Sequence, residues 1–249
     1  MGLYRSGPAS RAAWPGRRRL DRHGPDARAQ FRCSSGRLCQ RRPVVRVKIC
    51  GLRRETDAEL AIELGATHVG VVLAADSPRC ATHVEARAIV RCARGRAEAV
   101  LVFRGESNDA ILRACEAVGV LRVQVHGADV QRCRELAGAG LLPIPVAVVS
   151  PAAQQLPVFA DPPTERNPSL LDGGCGGAGT CFAWSLLAND LPHAVFIAGG
   201  VSPTNVAELL RFRPWGIDVS SGIEIEPGIK DPVLMRQLLR DVRAHGVVA

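Results

Sequence analysis

Lysine is almost absent from this chain: of 32 basic residues, only Lys48 and Lys230 are lysine. Codon bias with two chance survivors is the plain explanation. The other is that arginine serves wherever a generic cation suffices but cannot replace a compact, titratable ammonium in a tight site, so both lysines are candidates for function. The nine cysteines, at positions 33, 39, 50, 80, 92, 115, 133, 175 and 181, include no Cys-x-x-Cys pair. Their odd number, their scatter through apolar segments and the lack of a secretory segment point to a reducing cytoplasm. Missing Cys/His pair spacing excludes a structural zinc site, and no metal or other cofactor is expected. No run of 18 apolar residues occurs, so no helix is expected to span a membrane. Hydrophobic residues make up 47% of the 249, with a mean hydropathy of +0.06, which excludes disorder over the whole length.

The formal charge of +8 is concentrated at one end. Residues 1–44 hold eleven arginines against Asp21 and Asp26, a charge of +9; the remainder carries 21 basic against 22 acidic residues, a charge of −1. The part that looks folded therefore offers no basic groove to a nucleic acid. Residues 1–43 are rich in Arg, Gly, Pro, Ser and Ala, without apolar periodicity, and are expected to have no stable fold. This segment reads first as an overlong start, ahead of a flexible basic arm and an organelle transit peptide. A nucleic-acid-binding protein resting on the extension alone is the weakest reading.

From Val44 onward, apolar runs recur at 45–49, 68–73, 99–103, 121–126, 143–149, 169–172, 194–198 and 216–220, about one β/α unit apart. Helical spacing lies between them, as in Ile111, Leu112, Cys115 and Val118 after Ser107 and before Gly119. Ser202-Pro203 and Asp231-Pro232 each set a capping side chain before a proline at the first helical position. The fifth helix, around 150–168, is broken by Pro151, Pro157, Pro162 and Pro163. Eight such units build either a closed barrel or an open doubly wound sheet. Nearly every strand ends in polar or glycine residues, a ring of chemistry at one mouth that favours a single parallel (β/α)8 TIM barrel over residues 44–249.

Lys48 and Cys50 share the inward face of the first strand. A lysine beside a thiol lowers the thiol's pKa and makes it a base or nucleophile; alternatively Cys50 is an inert buried residue. Asp172 ends the sixth strand behind an inward Leu170, either as a carboxyl kept protonated by apolar walls, and so a general acid, or as a cap on the following turn. Gly199-Gly200 before Ser202-Pro203, and Ser220-Ser221-Gly222 before an expected helix, bring backbone N–H groups of the seventh and eighth loops together, the usual barrel phosphate site. Arg79, after Ser77-Pro78, suits a substrate carboxylate, although most arginines here are simply solvated. Gln124 and His126 share the inward face of strand four, to bind substrate or to satisfy core hydrogen bonds.

In order, Lys48-Ile49-Cys50-Gly51, Ser77-Pro78-Arg79, Gln124-Val125-His126-Gly127, Leu170-Leu171-Asp172, Gly176-Gly177-Ala178-Gly179, Ala198-Gly199-Gly200 and Asp218-Val219-Ser220-Ser221-Gly222-Ile223-Glu224 resemble the phosphoribosylanthranilate isomerase family. Pro227-Gly228-Ile229-Lys230-Asp231 continues the likeness, which spans about residues 45–245. The resemblance implies a cofactor-free Amadori rearrangement of a small phosphorylated substrate in tryptophan biosynthesis, by a monomer or homodimer. It implies Asp172 as general acid and Cys50 as general base, Arg79 on the anthranilate carboxylate, the Gly200 and Ser220–Gly222 loops on the phosphate, and Asp218 supporting the sugar.

The chain departs from the family at Thr180-Cys181-Phe182-Ala183-Trp184, where other polar residues are usual, at Phe103-Arg104-Gly105 and at Cys80. These departures motivate an alternative, a catalytically impaired barrel that binds phosphorylated ligands as a regulator. The related aminoaldose isomerase of the histidine pathway is disfavoured, because its first-strand base is Asp where Cys50 stands, and no half-to-half repeat is visible here.

Overall fold

The computed structural model describes residues 44–174, 182–245 and 247–248. The expectation about residues 1–43, and most of the altered sixth loop, lie outside this set.

The chain alternates strand and helix: β1 (Val44–Ile49), α1 (Glu55–Glu63), β2 (His68–Val72), α2 (His83–Ala93), β3 (Glu98–Arg104), α3 (Asn108–Val118), β4 (Arg122–His126) and α4 (Val130–Gly138). Then come β5 (Leu142–Ile144), β6 (Val146–Val148), β7 (Ser169–Asp172), α5 (Leu187–Asp190), β8 (Val195–Ala198), α6 (Val206–Leu210) and β9 (Gly216–Val219). A short antiparallel pair, β10 (Glu224–Glu226) and β11 (Ile229–Lys230), precedes α7 (Pro232–His245), and β12 (Val247–Val248) lies parallel to the start of β1.

The parallel strands run in the order β5-β4-β3-β2-β1-β9-β8-β7-β6. Since β5 and β6 are successive pieces of one segment, the order closes on itself as a (β/α)8 barrel. The segment expected as one strand over 143–149 divides at Pro145, which has no N–H to give a ladder. Its first piece registers with β4, Gln124 opposite Ile144, and its second with β7, Val146 opposite Leu170. The Pro145 carbonyl accepts from Leu170 N–H at 2.9 Å, so the break falls where the chain changes partners.

Strand alternation sorts the core into two. Val45, Val47 and Ile49 of β1 point outward and pack with helix residues such as Ile62, Ile89, Ile111, Leu209 and Leu238. The smaller cluster, including Cys50, Val72, Val102, Ile144, Leu170 and Phe196, comes from inward-facing positions and fills the lumen. Thr82 and Glu85 cap α2 reciprocally, and Ser107 caps α3, which ends at Gly119 with φ 81°. Asp231 Oδ1 accepts from Val233 N–H at 2.7 Å and starts α7, as its sequence suggests.

No helix occupies 149–168, in keeping with the prolines that interrupt it. Two local expectations differ. Ser202-Pro203 does not open a helix directly: Asn205 donates to the Gly200 carbonyl at 2.9 Å and accepts from Ser202 N–H at 2.8 Å, holding a turn until Val206. Ser221–Ile223 form a single 3-10 turn rather than the start of a helix. No helix among the described residues is long and apolar enough to cross a membrane.

Candidate active site

The C-terminal ends of the strands surround one pocket. Its wall includes Cys50, Arg79, Gln124, His126, Asp172, Gly199, Gly200, Asp218, Ser220 and Ser221, which sequence reading singled out, together with Val72, Val102, Arg104 and Val201. Residues from β1, β4, β7, β8 and β9 and their loops thus converge, as the parallel order requires. Two expected contact residues, Lys48 and Gly222, stand outside the wall. Gly222 packs directly on the Val201 carbonyl, leaving no room for a side chain.

Lys48 is fully buried beneath the pocket, with Nζ 2.8 Å from Asp218 Oδ2. Burial alone would lower its pKa, but the Asp218 carboxylate and Cys50 outweigh that effect and hold it above the ordinary lysine value. The cation therefore supports the site from behind. Asp218 Oδ1 is buried and has no hydrogen-bond partner among the described residues, leaving an acceptor in the pocket wall.

Cys50 corrects an expectation. Its thiol is pushed up, not down: burial is the largest cause, and the negative charge of Asp218 adds to it against the opposing pull of Lys48. The lysine expected to free the thiolate is already committed to a carboxylate. Room for the pair comes from Gly70 on β2, where a Cβ would lie 2.8 Å from Cys50 Sγ and 3.2 Å from Lys48 Nζ.

Asp172 ends β7 with its side chain 19% exposed. Its Oδ1 accepts from Gly174 N–H at 3.2 Å, so it does bond to the following turn, and Oδ2 lies 3.9 Å from His126 Nδ1. Gly199, with φ 91°, fits against it, since a Cβ there would meet Gly173 N at 2.6 Å and Asp172 Oδ1 at 3.3 Å. His126 Nε2 and Gln124 Nε2 are 2.8 Å apart; burial lowers the His126 pKa despite Asp172, so the ring is neutral near pH 7.

In the two loops expected to bind phosphate, Gly200, Val201 and Ser221 make no backbone N–H hydrogen bond among the described residues. Their donors, rather than a helix dipole, are what the loops offer, since α6 is five residues long.

The sequence marks Lys230 as a candidate for function without a particular role and gives Glu224 none. Glu224 takes Arg79 in a forked pair, Nε at 3.0 Å and Nη2 at 2.7 Å, and Lys230, fully buried, donates to Glu224 Oε1 at 2.8 Å and to the Ser220 carbonyl at 3.2 Å. The scarcity of lysine was the signal for Lys230; Glu224 had only its place in the quoted motif.

A parallel (β/α)8 barrel whose mouth gathers a thiol, a carboxylic acid, an arginine and two loops of open N–H groups defines a barrel enzyme for a small anionic substrate. Comparison with known proteins narrows that class. Residues 47–241 match the family described as N-(5'-phosphoribosyl)anthranilate (PRA) isomerase. N-(5'-phosphoribosyl)anthranilate isomerase of Leptothrix cholodnii is 39% identical over 202 residues, 80% of this chain and 90% of that protein. The crystal structure of phosphoribosyl anthranilate isomerase from Thermus thermophilus superposes with a TM-score of 0.67 at 33% identity, covering 80% of this chain and 99% of the other. A further phosphoribosyl anthranilate isomerase, solved with reduced 1-(o-carboxyphenylamino)-1-deoxyribulose 5-phosphate, gives a TM-score of 0.66 at 30% identity, covering 81% and 100%. The chain belongs to the N-(5'-phosphoribosyl)anthranilate isomerase family.

Proposed function

We propose that the chain converts N-(5'-phosphoribosyl)anthranilate into 1-(2-carboxyphenylamino)-1-deoxyribulose 5-phosphate in tryptophan biosynthesis, in the cytoplasm, and that residues 44–249 carry this activity. The observation that carries the reading is the convergence of Cys50 and Asp172 on one pocket of a chain in this family. Asp172 gives its proton to the furanose ring oxygen as the C1'–O bond breaks, leaving a protonated Schiff base between C1' and the anthranilate nitrogen. Cys50 then removes the C2' proton, and the C2'–H electrons form the enolamine double bond as the iminium is neutralised. Protonation at C1' and loss of the 2'-hydroxyl proton give the ketose, so no electrons enter or leave.

A buried thiol with a raised pKa is a strong base once ionised, and the iminium makes the C2' proton acidic enough for it. Lys48 offsets the thiolate charge. The neutral His126 and Gln124 line the wall as hydrogen-bonding groups for the sugar, as does the open Oδ1 of Asp218. Binding at the phosphate and carboxylate ends orients the reacting carbons between acid and base.

The test is the fluorescence decay of freshly made phosphoribosylanthranilate with the full chain beside Cys50→Ala and Asp172→Asn. Turnover by the parent and losses of about 10²- to 10⁴-fold in each variant are expected. A folded parent that binds the product analogue without turnover would refute the isomerase and favour a ligand-binding barrel.

A further inference from the structure

We propose that Glu224 is a positioning residue for substrate selection: it holds the Arg79 guanidinium so that one edge alone faces the pocket, ready for the ring carboxylate. The inference rests on the isomerase reading above. Glu224 stands on β10, 145 residues along the chain from Arg79, and bonds it through three contacts, Nε to Oε1 at 3.0 Å, Nε to Oε2 at 3.1 Å and Nη2 to Oε2 at 2.7 Å. This commits the Nε edge of the guanidinium. Nη1 makes no hydrogen bond among the described residues, and Arg79 lines the pocket. A planar fork fixed on one side presents its remaining edge in a set plane, the geometry that a carboxylate grips best.

The surroundings hold Glu224 rather than Arg79 in place. Its side chain is 5% exposed, and it accepts from Gly228 N–H at 3.1 Å and from the fully buried Lys230 at 2.8 Å. Burial would raise its pKa, but Arg79 and Lys230 outweigh that and hold it below the usual carboxylate range. Arg79, Glu224 and Lys230 together sum to one positive charge, a match for one carboxylate. Gly51, with φ 72°, leaves room for the arginine stem: a Cβ there would lie 2.7 Å from Arg79 Cδ and 3.0 Å from Ser220 Oγ. The stem is thus confined between the first-strand loop and the eighth, and Glu224 sets where its head points.

The experiment compares parent and Glu224→Gln in turnover and in binding two ligands: the reduced product analogue and its counterpart lacking the ring carboxyl. Glu224→Gln is expected to raise KM and the Kd of the carboxylated analogue about tenfold, with kcat and the Kd of the other ligand within about twofold, because only an oriented charge-assisted contact is lost. Equal weakening of both ligands, or no weakening of the carboxylated one, would overturn the inference. Should Glu224→Gln fail to fold, Glu224→Asp keeps a charge beside Lys230, shortens the reach to Arg79 and carries the same comparison. A parent without turnover would remove the isomerase reading, while the ligand pair would still decide the role of Glu224.

Discussion

Gly70→Ala places one methyl group where the chemistry is most crowded. Its Cβ would lie 2.8 Å from Cys50 Sγ, 3.1 Å from Cys50 Cα and 3.2 Å from Lys48 Nζ. Comfortable carbon contacts lie at about 3.5–4.0 Å, so something has to move. The strand cannot retreat: Gly70 pairs with Val100 of β3, and its carbonyl accepts from Leu52 N–H at 3.0 Å. Nor can Lys48 swing away without leaving Asp218. The thiol therefore yields. Overpacking of this kind costs about 1–3 kcal/mol in stability, and displacing a reacting group by about 1 Å costs about 10²-fold in rate. Thermal unfolding with steady-state kinetics should show a lower Tm and a kcat down by one to two orders of magnitude, with KM nearly unchanged because the anion-binding loops are untouched. Gly138→Ala, at a helical glycine with open space around it, is the control and should stabilise by about 0.4–1 kcal/mol. A Gly70→Ala enzyme with parental kcat and Tm would refute the packing argument.

Other consequences follow from the charges. Lys48→Met leaves Asp218 buried without its cation, and urea unfolding should show a loss of about 3–5 kcal/mol; an unchanged midpoint would mean that the pair is not maintained in solution. Because the Cys50 thiol lies above its ordinary value of 9.0, more of it ionises as pH rises, so kcat should climb between about pH 7 and 9; a flat profile would speak against Cys50 as the base. At the opposite end of the barrel, burial would raise Glu98, but His68 and Arg122 outweigh it and hold the carboxyl at about 2 against an ordinary 4.5. A depressed carboxylate stabilises above its unfolded pKa and loses that contribution as pH falls through the folded value. Glu98→Gln should therefore flatten the fall in Tm between about pH 4.5 and 2, and a parallel fall would refute it.

The barrel was legible because short-range patterns decide it. Val45, Val47 and Ile49 against Lys48 and Cys50 give the two faces of β1 from alternation alone, and Ser107, Gly119 and Asp231 mark helix ends through their own side chains or φ. What sequence order hid depends on distant partners. Asp218 meets Lys48 across 170 residues, and its charge adds to burial in pushing the Cys50 thiol up against the pull of Lys48. The Asn205 side chain, bonding back to Gly200 and Ser202, delays a helix that Ser202-Pro203 alone would start. Most of the pocket residues were found because they sit at or just past a strand end, and Arg79 through its Ser77-Pro78 context; Glu224 lies beyond the last barrel strand and gave no such cue.

The divided strand at Pro145 works as a splice in the barrel wall, its first half laddered to β4 and its second to β7. Near the mouth β6 is laddered to β7, and no ladder joins it to β4 among the described residues, while Val148 is 59% exposed. His126 and Asp172 face each other across this change of partner, 3.9 Å apart, and the strand bearing Asp172, like that bearing Cys50, is laddered to a neighbour on each side. The contact of His126 with Asp172 is therefore a side-chain link across the seam where, among the described residues, the ladder is interrupted.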